Sequence, residues 1–383
     1  MKILFVVQGE GRGHFTQALS LKSMLERNGH EVVEVLVGKS KARRLPDFFT
    51  KKINAPVHTF ESPNFLPSAK NKQVSILVSI LYNLLRVPVF LKSMYVIYRE
   101  IKNSEADLVI NFYELLTGLT YGLFLPKTPS ICIAHQYLFL HPEFEFPEEN
   151  RSKLFLLKFF TRMTALGATR RLALSFRSMP SVPEEKLVVV PPLLRNEVLE
   201  MKPSEGDYLH GYMVNSGFSE EVIRWHKQHP DLPLHFFWDK KNAEKETKVD
   251  ANLSFHMLDD DLFLQYMAGC KGYATTAGFE SVCEAMYLGK PVLLIPTHIE
   301  QVCNAHDAAL SGAGVVAEAF ELDKLLNFLP DYQQNIYFRN WVAQSETVFM
   351  EEVCLADEWI PYYTPAFSFL RQINPKMLLR ALP

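Results

Sequence analysis

Residues Thr275 to Ala305 read TTAGFESVCEAMYLGKPVLLIPTHIEQVCNA. Gly272–Ala274, just before them, reads as a short strand, and Thr275-Thr276-Ala277-Gly278 as the turn that leaves it. Phe279–Leu288 then reads as a helix, on which Ser281 and Glu284, three residues apart, share one face. Gly289-Lys290-Pro291 stops that helix and launches a strand, Val292–Ile295, which ends at Pro296. Glu300 and Gln301 fall in the loop that follows. A small-residue turn between a buried strand and a helix belongs to a parallel α/β sheet, and the helix N-terminus there offers unpaired N–H groups to an anion.

The same alternation runs outward in both directions. Leu234–Trp238 and Leu253–His256 read as strands, Asp261–Ala268 and Ala305–Ser311 as helices. A separate series starts at the N-terminus with the apolar run Ile3–Val7 and a helix over Phe15–Arg27, whose Ala18, Leu19, Leu21, Met24 and Leu25 recur at helical spacing. His30–Val37, Leu108–Asn111, Ser130–Ala134 and Lys186–Val190 complete it, and the last ends in Pro191-Pro192, a linker signal. The expected fold is therefore α/β, with two Rossmann-like domains facing each other across a cleft. They span residues 1–192 and 193–330, and a helical tail over 331–383 packs back on the first.

Gly9-x-Gly11-x-Gly13-His14 joins the first strand to the first helix. Gly11 and Gly13 let the backbone turn sharply and come close to a ligand, with a helix N-terminus behind it for a phosphate. A dinucleotide site would want GxGxxG and an acid closing the second strand; here His14 stands at the third glycine and the strand ends Val37-Gly38-Lys39. His14 is expected at the mouth of the crevice, where an imidazole suits general-base work or donation to a phosphate.

The wider composition is that of an ordinary globular chain. Among 383 residues, 40 Lys+Arg against 43 Asp+Glu leave a net charge of −3, and 48% are hydrophobic. This excludes a disordered chain and argues against a dedicated nucleic-acid binder. Five cysteines without a CxxC pair point to reduced thiols, and the N-terminus lacks signal-peptide features, so a cytoplasmic protein is expected. Val74–Tyr98 is apolar, but Asn83, Arg86, Pro88 and Lys92 interrupt it, which favours an amphipathic helix broken near Pro88 over a membrane span. Asp259-Asp260-Asp261 directly precedes a helical run, where acids cap and complement the dipole; it is read as a helix start and not as a metal site.

Taken together, the pattern small-Gly-x-x-Ser-x-x-Glu, Gly-x-Pro, strand, Pro, acid-Gln resembles the nucleotide-sugar half of GT-B glycosyltransferases. It is similar to the N-acetylglucosaminyltransferases that form lipid II and to the plant and animal UDP-glycosyltransferases. The Gly-x-Gly-x-Gly-His loop matches the first group as well. The resemblance implies that Glu284 holds the ribose hydroxyls, that Thr276, Gly278 and Ser281 face the diphosphate, and that Phe279 lies against the base. It also implies that Glu300 and Gln301 contact the donor sugar and that His14 stands at the reaction centre. No cofactor and no metal is implied, since the nucleotide-sugar is a co-substrate. Two positions depart from the pattern: Thr276 stands where the plant enzymes carry a histidine, and the acid-Gln pair is Glu-Gln where Asp-Gln is usual.

On the acceptor side, Ala134-His135-Gln136 resembles the family's His-bearing loop, and Tyr113 and Glu114 are expected at the same rim. The implied activity is transfer of a sugar from a UDP-sugar to a hydroxyl acceptor with inversion. A nucleotide-sugar 2-epimerase or a non-catalytic nucleotide-sugar-binding protein would share the architecture. Arg151–Arg177 holds seven basic residues and no acidic one among Leu and Phe, which suggests peripheral contact with a membrane and a lipid-linked or membrane-proximal acceptor.

Overall fold

A computed structural model describes residues 1–41, 43–64, 82–149, 151–214, 216–240 and 243–358. The first half builds a sheet from Lys2–Gln8 (β1), Glu31–Lys39 (β2), Val57–Glu61 (β3), Leu108–Phe112 (β4), Ser130–Ala134 (β5), Arg170–Leu174 (β6) and Leu187–Val190 (β7). All pairings are parallel, in the order β3-β2-β1-β4-β5-β6-β7. The helices are Gly13–Arg27 (α1), Asp47–Lys52 (α2), Val87–Asn103 (α3), Leu115–Phe124 (α4) and Arg151–Thr164 (α5). Alternate residues of β1 serve opposite faces. Ile3, Phe5 and Val7 pack with Phe15, Leu21 and Leu25 of α1, while Leu4 and Val6 pack with Phe90, Met94 and Ile97 of α3.

After a short helix, Asn196–Glu200 (α6), the second sheet forms from Leu209–Met213 (β8), Leu234–Trp238 (β9), Glu246–Lys248 (β10), Leu253–Met257 (β11), Gly272–Thr275 (β12), Val292–Leu294 (β13) and Gly314–Val316 (β14). Its order is β10-β11-β9-β8-β12-β13-β14, parallel except for the β10 edge. Its helices are Ser219–His226 (α7), Asp260–Gly269 (α8), Phe279–Tyr287 (α9), Ile299–Leu310 (α10) and Leu322–Phe328 (α11). Two further helices, Ile336–Val342 (α12) and Ser345–Cys354 (α13), return to the first sheet's side. Trp341 Nε1 donates to the Ser175 carbonyl at 3.1 Å, Ser345 Oγ donates to the Pro192 carbonyl at 3.2 Å, and Glu346 pairs with Arg27 at 2.7 Å.

Several expectations are revised by the structure. Arg151–Arg177 is not one amphipathic segment. Its helix ends at Thr164, and Arg170 and Arg171 lie in β6, paired with Glu352 and Glu185. Burial in the sheet, not a membrane face, is what those two arginines serve. Glu300 and Gln301 sit in the first turn of α10 and not in a loop, because the helix starts six residues earlier than its apolar spacing suggested. The chain breaks at Arg86, and Pro88 occupies the first turn of α3, where its missing N–H costs nothing. The N-terminal part of that apolar stretch, 74–81, lies outside the described residues. Among the described residues, no helix is long and apolar enough to cross a membrane. All five cysteines are free thiols.

Candidate active site between the two sheets

Open parallel sheets bind ligands beyond the strand carboxyl ends, at the point where strand order reverses. That point lies between β1 and β4 in the first sheet and between β8 and β12 in the second. From β1 come the glycine loop and His14; from β4 come Tyr113 and Glu114; from β12 come Thr276–Gly278 and α9. The two glycine turns meet. A Cβ on Gly13 would stand 3.0 Å from Glu280 Cγ on α9, so glycine permits the approach, whereas a Cβ on Gly11 would make only an ordinary contact with Gln8 Oε1 at 4.0 Å. Tyr113 and Ala277, which turn the chain at the ends of β4 and β12, both sit at positive φ, +59° and +56°. Left-handed backbone at non-glycine residues is strained and clusters at functional sites.

His14 lies in the first turn of α1, buried, with Nδ1 3.1 Å from Gln17 Oε1. Its ring stacks on Tyr113 at 5.8 Å, and the Tyr113 hydroxyl is 2.9 Å from Thr161 Oγ1. Burial lowers the His14 pKa; the Gln17 bond and the Glu300 charge oppose that shift. The imidazole is thus neutral at ordinary pH, the form a general base requires.

On the other wall, Glu284 is buried on α9 and its Oε1 accepts from Arg195. Burial raises the Glu284 pKa, and Arg195 works against that. Arg195 also reaches Asp260 at 3.9 Å, and Arg12 of the glycine loop reaches the same Asp260 oxygen at 3.1 Å. A cavity of about 240 Å³ borders Arg195 and Asp260 and reaches α1 through Ser20 and Ser23. Ser281 Oγ donates to the Gly278 carbonyl at 3.3 Å, and Thr276 is buried in the turn beside it. Asp259 caps α8 by accepting from the Leu262 N–H at 2.9 Å. Among the described residues, no group of three or more His, Cys, Asp or Glu side chains is arranged to hold a metal ion.

The acceptor-side candidates divide. His135 starts a tight turn after β5; its Nδ1 is 2.7 Å from the Leu174 carbonyl, so Nδ1 carries the proton. Its ring stacks on Phe279 at 4.0 Å, across the boundary between the sheets. Burial pushes its pKa down to about 4. Phe279, expected against a base, is thus held by His135 and by Phe176 at 4.7 Å. Gln136 Nε2 donates to Glu300 Oε1 at 2.8 Å, and Gln301 Oε1 accepts from the Thr297 N–H at 2.9 Å. Glu114, expected at the rim, is fully buried, caps α4 through the Thr117 N–H and accepts from Ser62. Burial raises its pKa to about 7.

The sequence alone gives no role to Gln17, Glu280, Arg195 or Arg12, and places Gln136 only beside His135. Gln17 was within reach, since it stands three residues after His14 on the same helix face. Glu280 lies inside the quoted stretch. Arg195 follows the double proline and carries no local signal, because its partners are 65 and 89 residues away, 260 − 195 and 284 − 195.

The sequence profile of glycosyl transferase family 1 matches residues 1–332. No curated protein sequence matches the chain. Among solved structures, the fold is shared with glycosyltransferase SnogD from Streptomyces nogalater (TM-score 0.58, 17% identity, 93% of this chain and 99% of that one). It is also shared with Arabidopsis thaliana UGT89C1 complexed with UDP (TM-score 0.61, 14% identity, 92% and 100%) and with the glycotransferase of kitacinnamycin (TM-score 0.58, 14% identity, 100% and 99%). These likenesses are of architecture, two α/β domains in the GT-B arrangement, and the profile match covers both sheets in full. The chain therefore belongs to glycosyl transferase family 1.

Proposed function

We propose that the protein transfers a hexose from a UDP-sugar to a hydroxyl acceptor, with inversion and without a metal ion. The observation that carries this reading is the meeting, in one cleft, of a buried neutral His14 from the first domain and the N-terminus of α9 from the second. The acceptor oxygen attacks the anomeric carbon as His14 Nε2 takes its proton. The bond from that carbon to the diphosphate oxygen breaks on the opposite face, and UDP leaves with the electron pair. Backbone N–H groups at Gly278–Ser281, with those of Gly11 and Gly13, would meet the growing charge of the diphosphate. Glu284 would hold the ribose, and Glu300 and Gln301 the sugar hydroxyls. The acceptor would enter along Tyr113 and His135. Glu114, fully buried, would support that rim from below.

The acceptor we propose is lipid-linked or membrane-proximal. Phe155, Leu156 and Phe159 are exposed on α5 beside Arg151, Lys153 and Arg162. Apolar and basic side chains on one helix suit the interface of an anionic leaflet, which would place the enzyme peripherally on the cytoplasmic face.

A thermal-shift screen with UDP-, GDP- and TDP-sugars tests the donor. A true donor at 100 times its dissociation constant should stabilise the fold by about 2.7 kcal/mol. Absence of a shift with any UDP-sugar overturns the donor assignment, and consumption of a UDP-sugar without an acceptor would favour an epimerase.

A further inference from the structure

Gln17 is the residue through which the second domain reaches His14. Its side chain is buried, with Oε1 against His14 Nδ1 and Nε2 donating to Glu280 Oε1 on α9. The directions of these bonds follow from the groups. A carboxylate oxygen only accepts, so the amide NH₂ of Gln17 must face Glu280. The amide oxygen must then face His14, and Nδ1 must carry the imidazole proton. Nε2 is left with its lone pair.

We propose that Gln17 and Glu280 are positioning residues for the transfer reaction: Glu280 orients the Gln17 amide, and Gln17 holds His14 in the tautomer whose Nε2 can accept the proton of the acceptor hydroxyl. The inference rests on the glycosyl-transfer reading given above. Because Glu280 belongs to the domain opposite His14, the tautomer is set by contact between the domains. The base is therefore correctly protonated only when the cleft is assembled. The other groups facing His14 are the Tyr113 ring and the Glu300 carboxylate, on separate elements. Among the described residues, Glu280 Oε2 is buried without a partner. Burial raises the Glu280 pKa to about 8. When the group is protonated, the same directions hold with the proton on Oε2, the oxygen without a partner, because Oε1 is then still an acceptor for Gln17.

The test uses the full chain and two readouts. The first is ¹⁵N NMR of the His14 imidazole, without substrates; the second is steady-state kinetics with the UDP-sugar and acceptor. Gln17→Leu should shift His14 away from the Nδ1–H tautomer and lower kcat about 10–100-fold, toward the loss expected for a disabled base, with KM for the donor near its wild-type value. The charge-conserving exchange of Gln17→Glu with Glu280→Gln should restore the tautomer and most of kcat. It should also move the acidic limb of the pH–rate profile upward, because a carboxylate beside an imidazole favours its charged form. A structural role alone would not move that limb. An unchanged tautomer in Gln17→Leu, or an exchange variant that folds but performs no better than Gln17→Leu, overturns the proposal. Should Gln17→Leu not fold, Glu280→Ala is read by the same NMR signature, where mixed tautomers are expected and an unaltered one refutes the relay. If the wild type binds no nucleotide-sugar, the transfer reading fails while the tautomer measurement still judges the relay.

Discussion

Glu284 Oε1 accepts from Nε of Arg195 at 2.7 Å and lies 2.7 Å from its Nη2, in an ion pair whose side chains are 2% and 12% exposed. The pair joins the segment after the double proline to the helix Phe279–Tyr287, which begins at the Thr276–Gly278 turn. A ribose hydroxyl bonding to Glu284 would therefore meet a carboxylate that is already held in place.

Glu284→Ala should lower UDP affinity by about 1.5–3 kcal/mol, the worth of a hydrogen bond to a charged group. Isothermal calorimetry reads it directly, and an unchanged affinity removes Glu284 from the donor site. Arg195→Met leaves the carboxylate buried without its partner and should cost roughly 3 kcal/mol of stability. The check is the urea midpoint, since the transition slope should stay the same.

His14→Ala should lower kcat by about 10²–10⁴ while donor binding is retained, as loss of a general base does. Steady-state kinetics beside calorimetry separates the two quantities. Turnover close to wild type would take His14 out of the chemistry.

Stability should fall as pH rises from about 7.5 to 8.5. Burial raises Glu280 to about 8 and Glu114 to about 7, so over this window the folded chain binds more protons than the unfolded one. Stability from raised carboxyl groups is present at low pH and lost as pH passes the folded pKa. Each such group contributes a slope of at most about 1.4 kcal/mol per pH unit. Buried histidines such as His135, lowered to about 4, act in the opposite sense, but their protons in the unfolded chain, bound with the ordinary pKa of 6.5, are almost all lost by about pH 7.5. Glu280→Gln should flatten the fall. Thermal melts of both proteins across the window decide it, and parallel curves would show that Glu280 titrates elsewhere.

Anionic liposomes should float the protein at low salt and release it at high salt, since the basic contribution is screened. Phe155→Ser with Phe159→Ser should weaken flotation without altering the melting temperature, because both rings are exposed. Substituting Arg170 is a poor probe of the membrane, as that residue is buried against Glu352 and its loss would act on the fold. Flotation that the double serine variant leaves intact would acquit α5.

Much of the architecture is legible in the chain because the signals are local. Ser130–Ala134 and Leu234–Trp238 form strands over the residues their apolar runs define, and Asp259 caps a helix as its place before an apolar run suggests. Such signals act within one or two helical turns, which is the reach of hydrophobic periodicity and backbone capping. β6 was hidden because Arg170 makes a central strand look like surface. The residue that neutralises it, Glu352, follows 182 positions later.

The sequence alone determined the two strand–turn–helix units, the glycine loop that ends in His14, and the helix that carries Ser281 and Glu284. Tertiary structure alone decided what those groups touch. Gln17 and Glu280 are 263 residues apart, and Gln136 and Glu300 are 164 apart, so no local spacing could pair them. Burial likewise made Glu114 a cap inside the domain and His135 a stacking partner of Phe279. The physical reason is one of range. Periodicity and capping are settled between neighbours in the chain, whereas desolvation, ion pairing and hydrogen-bond direction depend on whichever side chains the two sheets bring face to face.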